Sequence, residues 1–159
     1  MDDAKILARR IECAVTGPAL HGPALAELLS AVTPAQAAAH PIAGAHSIWE
    51  LVLHIASWAT IAEERLSGEP SNEPDDETDW PPVPRATARA WAKALDRLAA
   101  SHFSLAAAVR DLDTSALDER VPGRIYTVRT MLHGVIEHGA YHGGQVALMT
   151  KALIDRHSP

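Results

Sequence analysis

VRTMLHGVIEHGAYHGGQVALMTKALI, residues 128–154, carries Met131, Val135, His138, His142, Gln145 and Met149 at successive steps of four, three, four, three and four. Such spacing is the inward seam of a helix in a bundle. Two imidazoles and an amide stand in a line that is otherwise apolar. A buried polar group without a partner costs roughly 2–7 kcal/mol, so each of the three needs one. Histidines at i and i+4 lie on one helix face, about 6 Å apart at Cβ, within reach of a single metal ion.

The matching surface comes from residues 48–66. Ser47 is placed as an N-cap, and Glu50 three positions on completes a capping box. Ser47, Leu51, His54, Trp58 and Ile61 form the inward row, with His54 midway along it. Facing helices of a bundle commonly build metal sites in this manner. His54, His138 and His142 together would offer three neutral nitrogens and leave positions open for water or substrate. A lone inward histidine is most simply a core imidazole bonded to a carbonyl or hydroxyl. Three on two facing seams favour one divalent ion per chain. HGAYH has Gly139 where the helix of a zinc protease carries its general-base Glu, which disfavours that class.

Two further long helices are expected, over residues 2–15 and 87–112, with a short one at 23–32. The third long helix presents Trp91, Leu95, Leu98, Phe103 or its neighbour His102, Leu105 and Val109. GEPSNEPDDETDWPPVP, residues 68–84, reads as neither helix nor central strand. So long a connection is a functional loop or a crossover. A second irregular segment, residues 111–127, runs into RIYTV (124–128), which suits a brief extended piece. The expectation is all-α: an antiparallel four-helix bundle forming one domain over residues 1–159, with a long connection between its second and third helices.

Composition sets the outer bounds. With 47% hydrophobic and 21% charged residues the chain is globular in class. Fourteen Lys+Arg against 20 Asp+Glu leave a net charge of −6, which argues against nucleic acid as a partner. No apolar run is long enough for a membrane span, and the acidic opening MDDAKILARRIEC does not read as a secretory signal. Cys13 is the only cysteine, so no internal disulfide forms and the cytoplasm is the default compartment.

Other residues invite two readings each. Gln145 is suited to bonding a metal-bound water or orienting His142, and equally to capping an interhelical hydrogen bond. Trp58 and Trp49 fit either a pocket wall or plain core, and Tyr141 lies beside the ligand face as a donor to substrate. Gly134, Gly139, Gly143 and Gly144 each cost about 1 kcal/mol against Ala in a helix, which points to close approach by another backbone, a substrate or a partner subunit. Glu137 falls outside the ligand face. His46 reads as an exposed loop residue and His133 as surface or interface, while His21, His40, His102 and His157 need no special role. Residues 73–79 read as a solvated acidic loop, or more sharply as a lid. No Asp or Glu stands at an evident inward position near the three histidines.

Three segments, HSIWELVLHIASW (46–58), DWPPV (79–83) and EHGAYHGGQ (137–145), resemble the DinB-like superfamily of four-helix bundles, and the resemblance extends from about Leu7 to Leu153. It implies a divalent metal, usually nickel or zinc, held by His54, His138 and His142, and often a homodimer. It further implies chemistry on a small-molecule substrate with a low-molecular-weight thiol as co-substrate, or metal-dependent hydrolysis. The expected function is therefore a metal-dependent enzyme whose ion activates water or a thiol for hydrolysis or thiol transfer. The alternative is a metal- or ligand-binding, stress-associated bundle without catalysis, motivated by the missing general base. No arginine cluster for an acidic thiol is evident in the sequence.

Overall fold

The computed structural model describes residues 2–20, 22–68 and 72–155, so His21 and His157 lie outside the described residues. Among the described residues, seven α-helices follow in order: α1 (Asp3–Thr16), α2 (Leu25–Leu29), α3 (Pro34–Ala38), α4 (Ile48–Arg65), α5 (Asp76–Asp79), α6 (Ala88–Arg110) and α7 (Val128–Asp155). Among the described residues there is no strand. RIYTV contributes only to an isolated antiparallel bridge between Arg120 and Thr127.

Side-chain oxygens at the helix starts accept from otherwise unpaired N–H groups. Ser47 Oγ accepts from the Glu50 N–H at 3.2 Å, and the Glu50 carboxylate accepts from the Ser47 N–H at 2.6 Å. Thr33 and Gln36 form a second capping box that starts α3. The first long helix ends at Gly17, whose φ of 78° suits a residue without Cβ.

The four long helices make an all-α bundle in which α6 and α7 each pack against both α1 and α4. Neighbours α4 and α6 run the same way: Arg97 donates to Ser57 at 3.2 Å, and Ser104 to Glu63 at 2.7 Å. In contrast, α7 runs against α4, because His54 meets His138 while Arg65 meets Tyr126 just before α7 begins. Arg129 donates to Asp3 at 3.1 Å, which sets the starts of α1 and α7 at one end. Two helices thus run up and two down. This explains the long connection after α4, which must retrace about 27 Å of helix before a parallel α6 can start.

Two apolar clusters fill the bundle. One gathers Ala4, Leu7, Ile11, Leu105, Val109 and Leu132, and the other Leu25, Trp49, Val52, Ile55, Trp91 and Leu98. Trp49 is fully buried and its ring lies 5.0 Å from that of Trp91, so it is core and not a pocket wall. On α6 the inward position goes to His102, which is 2% exposed, and not to Phe103, which is 44% exposed. The steps Leu98, His102, Leu105 and Val109 keep the heptad phase, which Phe103 breaks. No described helix is long and apolar enough to cross a membrane.

The acidic connection departs from expectation in one respect. Asp75 accepts from the Thr78 N–H at 2.8 Å and starts the single turn of α5. An aspartate cap with Asp76 and Glu77 in the first turn favours helix there despite the surrounding prolines. Pro81 and Pro82 follow directly and prevent its continuation.

Candidate metal centre

His54 comes from the middle of α4, and His138 and His142 from successive turns of α7. Their available nitrogens all lie within 4.8 Å of one another. The ring centroids are 4.8 Å apart for His54 and His138, 5.0 Å for His54 and His142, and 4.4 Å for His138 and His142. All three rings are buried or half-buried.

Hydrogen bonds define which nitrogen is free. His54 Nδ1 donates to the Asp79 backbone carbonyl at 2.8 Å, so the neutral ring presents a lone pair at Nε2. His142 Nδ1 donates to Gln145 Oε1 at 2.8 Å, which likewise frees its Nε2. The bond joins Gln145 to His142 within α7, and no described residue of another helix takes its place. His138 Nε2 lies 2.9 Å from His54 Nε2. That gap is less than two metal–nitrogen bonds of about 2.0–2.1 Å laid end to end, so one ion can touch both. A proton on His138 Nε2 satisfies the same gap in the metal-free chain. The donor set fits a divalent ion.

With these three rings and Gln145 in place, the comparison with known families is decisive: the family model described as the DinB superfamily matches residues 20–146. The chain belongs to the DinB superfamily. No curated protein and no solved structure matches it. The span matched to the DinB superfamily takes in His54, His138, His142 and Gln145, together with the connection that closes over them.

That connection is structural support for the site. Trp80 lies sandwiched between two imidazoles, 3.8 Å from His54 at 6° and 3.7 Å from His46 at 10°. His46, read from sequence as a plain loop residue, is half-exposed but takes part in this stack. Asp79 Oδ1 accepts from Trp58 Nε1 at 2.7 Å and lies 3.2 Å from His54 Nδ1. A carboxylate does stand beside the ligands, contrary to the expectation from sequence. It comes from the irregular connection, where no helical period could announce it.

Burial is the largest influence on all three imidazoles and disfavours their charged form. It pushes His138 down to about 3, helped by the neighbouring charges of His142, His54 and His102. It also lowers His54 against the opposing pull of the Asp79 carbonyl and carboxylate, and lowers His142 against its bond to Gln145. Neutral imidazoles are the form that ligates metal.

A cavity of about 520 Å³ opens from the histidines and runs between α4 and α7. Trp58, Ala62, Met131 and Val135 form apolar wall, Asp79 and Tyr141 line it, and Arg65 and Tyr126 lie along it. Tyr141 is 66% exposed with its ring 4.9 Å from that of His142, so its hydroxyl is available to a bound molecule. Glu137 faces solvent, as expected. Of the helix glycines, Gly143 lies where an added Cβ would sit 3.5 Å from Leu25 and 3.6 Å from Leu28, and Gly139 faces Leu25 at 4.0 Å. Gly134 and Gly144 have open space instead, so close approach explains only part of the set. Arg65 was missed in the sequence, although eleven residues after His54 is three helical turns and returns to the same face.

Proposed function

We propose that this chain is a metal-dependent enzyme, with a divalent ion held by His54, His138 and His142 and a small-molecule substrate in the adjoining cavity. Nickel and zinc are the metals proposed, since imidazole nitrogen suits both. The observation that carries the reading is the convergence of three neutral imidazoles on the wall of a cavity sized for a small molecule. A divalent ion there lowers the pKa of water or of a low-molecular-weight thiol, and so favours hydrolysis or thiol transfer.

The remaining work belongs to the chain's own groups. Gln145 and the Asp79 carbonyl hold the rings of His142 and His54 in the tautomer that leaves Nε2 free. The Asp79 carboxylate, on the cavity wall, is placed to accept a proton from a group bound there. Tyr141 donates to substrate at the cavity mouth. Trp58, Met131 and Val135 exclude water from the bound molecule. The Asp79 carboxylate beside His54 supports the enzyme reading over a non-catalytic binding protein, whose motive was the lack of an inward carboxylate.

The reading includes a cytoplasmic compartment and a homodimer, for which Leu148, exposed on the outer face of α7, offers an apolar contact. Sedimentation at micromolar concentration checks it. The central experiment is elemental analysis of untagged protein, which should report about one divalent ion per chain and none for His142→Ala. The loaded protein is then screened with thiols plus electrophiles and with simple esters and amides. No metal in the wild type sinks the proposal; metal without turnover on that panel favours the binding protein.

A further inference from the structure

Arg65 is the most unusual charge in the molecule. Its side chain is only 4% exposed, yet it lines the same cavity as the histidines. Its position, three turns beyond His54 on one face of α4, corresponds to about 16 Å of helix rise. The side chain folds back so that its guanidinium lies 5.6 Å from the centre of the Trp58 ring. Between Arg65 and the histidines the wall is Trp58 and Ala62 on one side and Met131 and Val135 on the other.

A buried guanidinium requires a partner for its charge. Nη1 donates to the Tyr126 hydroxyl at 2.9 Å, which carries no charge. Nη2 donates to Glu73 at 3.0 Å, and Nε is buried with no hydrogen-bond partner. Glu73 is 66% exposed and also pairs with Arg124 at 3.2 Å. The cation is thus buried, while its counterion is a solvent-exposed side chain on the connection after α4. Glu73 accepts from Arg65 through a single donor and is shared with Arg124, so an incoming carboxylate that the Arg65 guanidinium grips through two donors can take its place.

We propose that Arg65, with the Tyr126 hydroxyl, anchors the carboxylate of the substrate, displacing Glu73. The substrate class is then a small molecule with one carboxylate, an apolar middle against Trp58 and Met131, and its reacting group at the histidine end. The carboxylate belongs to the substrate and not to a thiol co-substrate. Biological thiols such as glutathione carry several charged and amide groups, which this apolar wall does not answer. The assignment rests on the cavity being the substrate site proposed above.

Binding of hexanoate and of its neutral isostere hexanamide, measured by calorimetry on the full chain stripped of metal and again after zinc loading, tests this directly. Hexanoate should bind about ten- to hundredfold more tightly than hexanamide in both states. Arg65→Met should abolish that preference, with circular dichroism checking the fold. Glu73→Gln alters an exposed side chain and should tighten hexanoate about two- to fivefold by removing its competitor. Equal binding of acid and amide overturns the proposal, as does a preference that survives Arg65→Met, or hexanoate binding that Glu73→Gln leaves unchanged or weakens. A preference seen only after zinc loading makes the carboxylate a metal ligand and overturns it too. Glutathione displacing hexanoate at comparable affinity overturns the assignment to the substrate. Preference in a chain that never retains metal supports the anchor while sinking the enzyme reading.

Discussion

His54 Nδ1 donates to the backbone carbonyl of Asp79 at 2.8 Å, joining the middle of α4 to a connection 25 residues further along the chain. Because a carbonyl can only accept, the bond makes Nδ1 the protonated nitrogen and turns the Nε2 lone pair toward His138 and His142. The residue after the acceptor, Trp80, then stacks on the same imidazole. One short segment therefore sets both the tautomer and the plane of a candidate ligand.

Trp80→Ala removes the stack while leaving the His54 to Asp79 bond possible. Affinity for zinc should fall about tenfold or more, as is typical when the groups that hold a ligand in place are lost. Trp80 is only half-buried, so the helical circular dichroism signal should persist. A competition titration returning wild-type affinity would show that the stack does not position His54.

Gln145→Ala frees His142 Nδ1 and allows the ring to rotate or to carry its proton on Nε2. Metal affinity should drop about 10- to 100-fold, with little change in stability without metal. Gln145→Glu keeps an acceptor at the same place and should restore most of the affinity. If the two variants behave alike, the 2.8 Å bond does not orient the ring.

Acid should destabilise the protein through His102. Burial pushes this imidazole down to about 4, despite its Nδ1–H donating to the Leu98 carbonyl at 2.9 Å. Above pH 6.5 the ring is neutral in both folded and unfolded chains and adds no slope. As pH falls toward 4, the unfolded chain takes up a proton that the fold excludes, and about 3 kcal/mol of stability is lost. The low value for His138 acts in the same direction. Urea melts of metal-free protein from pH 7 to 4 should therefore show a steep decline, distinctly shallower in His102→Gln; parallel slopes would contradict the assignment.

Gly144→Ala should stabilise the protein. The residue is exposed within α7, and an added Cβ would meet nothing within 4 Å. Replacing it should gain about 1 kcal/mol of helix propensity, or roughly 2–4 °C in melting temperature. A lower melting temperature would mean that Gly144 approaches something else in solution, a second copy of the chain being the first candidate.

Helical periodicity carried most of what could be read without coordinates. A helix advances about 100° and 1.5 Å per residue wherever it forms, so His138 and His142 had to share a face, and His54 had to share one with Trp58. The capping box at Ser47 and Glu50 was equally local, because its hydrogen bonds span three residues. Asp79, Trp80 and the parallel course of α4 and α6 had no such signature. A connection without a period does not declare which carbonyl or ring will meet which helix. Even Arg65, whose phase was open to view, gained its meaning only when α7 closed the cavity over it and left a buried cation beside an exposed counterion. Local backbone geometry determined which side chains stand together on one rod; packing between rods determined what they face.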